Sequence, residues 1–207
     1  MCQSQEKVNM GFTNEEFPAG THMCLIYNKE EEREKIISKY LQSGLSSSEM
    51  VAYFADDTSK EEMNEWLSEM GIDIYNPQVS NGFSLHSTSE TYSPNGKFEV
   101  DEMLTNLKNL YISAKDKNFS AARVTGEISW ALKGVPGSEN LMEYESKINV
   151  LVKKYPVTAI CQYDANKFDG ATILECFKVH PFMIVPGQIV RNPYYLSPEE
   201  YLNQKDN

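Results

Sequence analysis

The chain alternates short, wholly apolar runs with longer stretches of helical periodicity, and this alternation limits it to one fold class. Met50-Val-Ala-Tyr-Phe54 is apolar throughout, and Thr21-His-Met-Cys-Leu-Ile-Tyr27 and Val157-Thr-Ala-Ile-Cys-Gln-Tyr163 nearly so. A strand with one wet face alternates polar and apolar residues. A strand covered on both faces does not, and such strands belong to parallel sheets sandwiched by helices. Between these runs the spacing turns helical. Glu30 to Leu41 places Ile36, Ile37, Tyr40 and Leu41 on one face, with Gly44 as the stop. Lys60 to Met70 follows a cap at Asp56-Asp-Thr-Ser59 and closes at Gly71. Phe98 to Lys117 carries Val100, Met103, Leu107, Leu110 and Ala114 in a stripe, and Glu139 to Tyr155 is a further helix. Weaker strands are expected at Phe83–Ser87, Ala121–Thr125 and Phe182–Val185. Leu174–Val179 reads as helix or strand, ended by His180-Pro181. The expected fold is α/β, a mostly parallel central sheet flanked by helices. Residues 1–19 read as a lead-in, 20–190 as the domain, and 191–207 as a polar tail with the aromatic pair Tyr194-Tyr195.

The first strand and helix look placed to hold a phosphate, without the residues to do so. A phosphate loop needs glycines for close backbone approach, a lysine, and a Ser or Thr. No glycine lies between Gly20 and Gly44, and the turn carries Glu30, Glu31, Glu32 and Glu34. Carboxylates suit a helix N-terminus but repel a triphosphate. A net charge of −11 (19 basic, 30 acidic) likewise argues against direct nucleic-acid binding. No apolar run reaches membrane-spanning length and the N-terminus is polar, so a cytoplasmic chain with no membrane partner is expected. Of the four cysteines, Cys2, Cys24, Cys161 and Cys176, none forms a C-x-x-C pair. Cys24 and Cys161 sit in apolar strands and read as reduced, packed core thiols.

Open parallel sheets bind ligands beyond the carboxyl ends of their strands. That rule selects Tyr27, Asn28, Glu127, Trp130, Tyr163 and Asp164 as candidate ligand-binding residues. Tyr27, Trp130 and Tyr163 are expected to line an apolar pocket, with Asn28, Glu127 and Asp164 as its polar groups. Such a lining favours a small neutral or cationic molecule. Glu127, at a strand end, is expected to act in the pocket rather than in the core. Its structural alternative is a cap or an ion pair, with Arg123 as partner. His22, Cys24, Cys161, Cys176 and His180 form a weaker alternative, a soft-metal set, in which Cys176 and His180 share a helix face if their segment is helical. For Cys24 and Cys161 the packed-thiol reading is preferred, so no metal and no cofactor are expected.

His22-Met-Cys-Leu-Ile-Tyr27, Arg123-Val-Thr-Gly-Glu-Ile-Ser-Trp-Ala131, Tyr144-Glu145, Cys161-Gln-Tyr-Asp164 and His180-Pro181 resemble, in order and spacing, the MEDS domain. This is the sensory domain of DcmR-type regulators in methanogens and methylotrophs. The resemblance spans roughly Gly20 to Gln188. It implies a RecA/KaiC-like core without a working phosphate loop (no Walker A). Tyr27-Asn28 would then stand at the phosphate-loop position and Glu127 near the acidic strand end. The strands of Cys24 and Cys161 would be neighbours. It also implies sensing of small organic compounds, coupled to a DNA-binding or kinase module. Neither module is legible beside the domain, so the expected output is a separate kinase or transcription-regulator chain. The function expected is a non-catalytic sensor domain binding a small organic ligand, compatible with a homodimer. A degenerate ATPase-like interaction module and a small-molecule enzyme using Glu127 or Asp164 are the alternatives.

Overall fold

The computed structural model describes residues 6–185 and 188–205. Cys2, the first residues of the lead-in and the last two of the tail lie outside the described residues. The rest of the lead-in is structured. β1 (Lys7–Asn9) and β2 (Glu16–Pro18) form an antiparallel hairpin that buries Val8 and Phe17.

The seven strands β3 (His22–Tyr27), β4 (Met50–Ala55), β5 (Phe83–Ser87), β6 (Ala122–Glu127), β7 (Val157–Asp164), β8 (Phe182–Val185) and β9 (Gln188–Arg191) make one sheet. Its order is β5-β4-β6-β7-β3-β8-β9. Every pairing is parallel except β8 with β9. The expected α/β fold is therefore the observed one. The strands of Cys24 and Cys161 are adjacent, with these two residues directly in register.

The helices are α1 (Glu30–Ser46), α2 (Lys60–Ser68), α3 (Pro77–Ser80), α4 (Thr88–Tyr92), α5 (Val100–Asp116), α6 (Leu141–Leu151), α7 (Gly170–Val179) and α8 (Pro198–Lys205). Local chemistry explains several boundaries. Ser59 and Glu62 form a reciprocal capping box that starts α2. The Asp169 carboxylate accepts the Thr172 N–H at 2.7 Å, which makes the ambiguous 174–179 segment the second half of a helix. The last helix, α8, occupies part of the segment that reads as a polar tail.

The sheet separates two cores. On one face Cys24, Ala52, Phe54, Val124, Ala159, Cys161 and Tyr163 pack against α5, α6 and α7. On the other, Met23, Leu25, Tyr27, Val51, Tyr53 and Ile160 pack against α1, α2 and the hairpin. Strand alternation sorts neighbours onto opposite faces.

Arg123 is fully buried on the α1 side, ion-paired with Glu49 and donating to the Tyr40 carbonyl at 2.6 Å. Gly44 does not stop α1, which runs to Ser46. Its role is close approach, because a Cβ there would sit 2.6 Å from Arg123 Cδ and Nε. Arg123 is also not the partner of Glu127. The two share a strand face four residues apart, about 13 Å at strand rise, beyond ion-pair reach.

Candidate functional site

Two polar constellations lie inside the domain, one on each side of the sheet. The first occupies the carboxyl ends of the strands, where a phosphate loop would stand. Helix α1 carries Arg33 on its buried stripe with Ile36, Ile37 and Tyr40. Its Nη1 donates to Glu127 Oε1 at 3.0 Å, Tyr53 Oη at 3.1 Å and Gln162 Oε1 at 3.3 Å. Its Nη2 donates to Thr58 Oγ1 at 3.1 Å, and its Nε to Glu30 Oε2 at 2.7 Å. The guanidinium also lies over the rings of Tyr27 and Trp66, 5.4 and 4.9 Å from their centroids.

Glu127, the last residue of β6, is only 3 % exposed. Its Oε1 accepts the Tyr53 hydroxyl at 2.6 Å as well as Arg33, and its Oε2 accepts the N–H groups of Asp56 at 2.8 Å and Asp57 at 2.6 Å. Burial pushes this carboxyl up. The backbone N–H of Asp57, Thr58, Tyr53 and Arg33 outweigh it and hold the group below 4.5. Glu127 is thus a core ion-pair residue and not a free pocket carboxylate, a correction to the strand-end reading. A cleft of about 300 Å3 remains above it, bordered by Glu30, Glu34, Asp57 and Glu62 around Lys167. A polyanion is repelled there.

The expected apolar pocket does not assemble. Tyr27 is in register with Asp164, so Tyr163 lies one residue out of step and faces the opposite side of the sheet. Tyr163 donates to Glu145 Oε1 at 2.9 Å. Trp130 stacks on Tyr92 at 4.7 Å inside the α5–α6 core. Asn28 is exposed, and its carbonyl accepts from Asn166 Nδ2 at 3.1 Å. Asp164 Oδ1 accepts the N–H and side-chain amide of Asn166, closing the turn after β7.

The second constellation is the one the soft-metal alternative singled out. His22 and Cys24 on β3, Cys161 on β7, and Cys176 and His180 at the end of α7 converge, all fully or almost fully buried, and the three cysteines are free thiols. Glu145 of α6 joins them. His22 Nε2 lies 3.2 Å from Glu145 Oε2 and 3.4 Å from Cys161 Sγ. Cys161 Sγ is 3.2 Å from Glu145 Oε2, and His180 Nε2 is 3.4 Å from it. His22, Glu145, Cys161 and His180 each bring one ligand atom within 4.8 Å of the others, as do Cys24, Cys176 and His180. Cys24 and Cys161 are the packed, free core thiols expected, and Cys161 also lies against the polar groups of this cluster.

Burial pushes the Cys161 and Cys176 thiols up, whereas the hydrogen bond from Cys176 lowers Cys24. Burial also opposes ionisation of Glu145, but His180 and His22 beside it hold the carboxyl well below the usual range. Burial and His180 lower His22. Against burial, the charges at Cys24 and Glu145 raise His180 to about 9. Glu145 falls on the apolar stripe of α6 between Leu141 and Ile148. A charge at an inward helical position is the signal that marks it.

The sequence profile of the family described as MEDS, the methanogen/methylotroph DcmR sensory domain, matches residues 21–181. The transcriptional repressor DcmR of Methylorubrum extorquens is 26 % identical over 160 residues, which are 77 % of this chain. The match spans 57 % of that protein's length. Among solved structures, the KaiC-like protein PH0186 of Pyrococcus horikoshii superposes with a TM-score of 0.60 at 18 % identity, covering 86 % of this chain and 79 % of that one. Its likeness concerns the fold alone.

Proposed function

The chain belongs to the MEDS family of sensory domains, and from that premise we propose that it binds a small neutral or cationic organic molecule and reports it to a regulatory partner. The observation that carries this reading is a groove of about 460 Å3 between β4, β5 and α5. Its floor is Met50, Ala52 and Phe54, and its rim bears His86, Glu90, Asn106, Asn109 and Lys117. An apolar floor under a polar rim that includes Glu90 suits a small neutral or cationic molecule with an apolar face and several hydrogen-bonding groups. The strand-end position is the weaker candidate, because Arg33 already fills it from within.

The same filling supports a non-catalytic role. Glu127 has both oxygens engaged and a depressed pKa, so it lacks the accessible lone pair and basicity of a general base. Asp164 is turned into its own loop. The output partner is a transcription regulator or kinase, by analogy with the repressor relative. The charge of −11 makes that partner, and not this domain, the contact to DNA. Among the described residues no helix is long and apolar enough to cross a membrane, which fits a cytoplasmic sensor.

Thermal shift with a panel of small alcohols, amines, halocarbons and organic phosphates tests the reading. Stabilisation by one of the neutral or cationic compounds, abolished by Ser84→Trp in the groove wall, is the expected result. Stabilisation that survives Ser84→Trp, or that only the phosphates produce, sinks it.

A further inference from the structure

We propose that the buried cluster on the α6–α7 side of the sheet is a four-coordinate site for a divalent transition-metal ion of the zinc class, held by His22, Glu145, Cys161 and His180. This goes beyond the sensing of an organic molecule, and neither depends on the other.

The hydrogen-bond network fixes which nitrogens face the centre. Asn149 Nδ2 donates to the Val179 carbonyl at 2.7 Å and to the carbonyls of Glu145 and Ser146 at 3.3 Å. Its amide is thereby oriented, and Oδ1 is the atom 3.1 Å from His22 Nδ1. An amide oxygen can only accept, so His22 Nδ1 carries a proton. His180 Nδ1 is 2.8 Å from the Cys176 carbonyl oxygen, which likewise can only accept. Both rings therefore turn Nε2 inward, where each nitrogen can offer a lone pair once it gives up any proton to an incoming cation. This is the arrangement of metal-bound histidines, whose other ring nitrogen donates to a carbonyl or carboxylate.

Inside, the two Nε2 atoms meet a carboxylate oxygen and a sulfur. His180 Nε2 makes no hydrogen bond among the described residues, although it is completely buried. Lone pairs of two imidazoles and a carboxylate repel unless a positive charge lies between them. A proton on one imidazole supplies it in the metal-free protein, and a divalent cation supplies it more fully. The size also agrees. Ligand bonds of about 2.0–2.1 Å to N or O and 2.3 Å to S give a tetrahedron with edges of about 3.3–3.6 Å. Four of the six edges are 3.2, 3.2, 3.4 and 3.4 Å, and the two from His180 Nε2 to His22 Nε2 and Cys161 Sγ are within 4.8 Å. One thiolate, one carboxylate and two imidazoles form a donor set for zinc or iron(II) rather than for magnesium or calcium.

The test uses the whole chain. The protein is chelated, checked for a folded state by circular dichroism, and titrated with Co2+. One equivalent is expected to bind, with the strong ligand-field bands of a tetrahedral ion and a charge-transfer band for a single thiolate. Zn2+ is expected to displace it and raise the Tm. Weak octahedral bands only, or a charge-transfer intensity matching two or three thiolates, overturn the assignment. In folded His180→Asn, affinity is expected to fall about 100-fold or more, since even supporting residues of such sites commonly contribute 10–100-fold. Unchanged affinity overturns the assignment too. If that variant does not fold, Cys161→Ser, nearly the same size, is expected to lose the thiolate charge-transfer band on Co2+ addition, and a band that persists overturns the assignment.

Discussion

Glu127→Gln is the sharpest probe of how the strand ends are closed. The substitution keeps the shape but removes the charge, and whichever way the amide turns its NH2 faces donors, with the Tyr53 hydroxyl able to turn and accept on one side. One side offers the N–H of Asp56 and Asp57, the other the Arg33 guanidinium. Arg33, only 7 % exposed in its side chain, keeps one carboxylate partner, Glu30, which is 62 % exposed. Breaking one side of a buried pair costs about 3–5 kcal/mol. The remaining Glu30 contact and the surviving amide oxygen place the expectation at the low end, about 3 kcal/mol. For a chain of this size that is about 6–12 °C in Tm, against a total stability of about 5–15 kcal/mol. Urea unfolding of wild type, Glu127→Gln, Arg33→Met and the double variant closes a cycle, with a coupling of about 1.5–3 kcal/mol expected. A Glu127→Gln loss under about 0.5 kcal/mol with no coupling would mean that water, and not Arg33, solvates this carboxylate, and the closure argument fails.

Acid should act on the same pair. Because the folded-state pKa of Glu127 is depressed below 4.5, its stabilisation is fully present above that pH and is lost as pH falls through the folded value. Unfolding followed from pH 6 down to pH 2 should show this loss in wild type and a smaller one in Glu127→Gln; equal slopes would contradict it. Gly44→Ala adds a better helix former but drives a Cβ against an arginine pinned at Glu49 and Tyr40. The expected net loss is about 2–4 kcal/mol in urea unfolding, and a stabilised variant would show that Arg123 can move. Cys161 and Cys176, buried and with raised pKa, should react with a thiol reagent only as fast as the native state opens, so rapid labelling of either would refute their placement. Calorimetry with Mg-ATP should show no micromolar binding.

The buried strands and long helices were legible because unbroken apolar runs and helical stripes are strong patterns. The hairpin of the lead-in was not, since each three-residue strand buries a single side chain, Val8 or Phe17, and one apolar residue makes no period. The candidate pocket failed on parity. Strand ends located to within two residues do not tell which face Tyr27 or Tyr163 takes, and one residue of register separates them. The metal-like cluster was half visible. Its His and Cys residues stood out by type, while Glu145 entered only as part of the family motif, with nothing to link it to them, and Asn149, one turn further along the same helix, did not stand out. Arg33 was missed because charges on the inward face of a helix disappear into an amphipathic reading unless each position is checked against the stripe.

The strand order also sets a timetable. β3 is made early, yet the neighbours on its two edges are β7 and β8, about 130 to 160 residues later in the chain. β4, β5 and β6 can pair among themselves as soon as Thr125 and its neighbours have been made. During synthesis the apolar ribbon Met23 to Tyr27 therefore waits with both edges unsatisfied, able to join any other strand it meets. Closing that gap is a long-range step with a high loop-entropy cost. A nascent chain stopped before residue 157 should hold a β4–β6 nucleus and a sticky N-terminal strand, and a chaperone that engages this protein on the ribosome would find its target there.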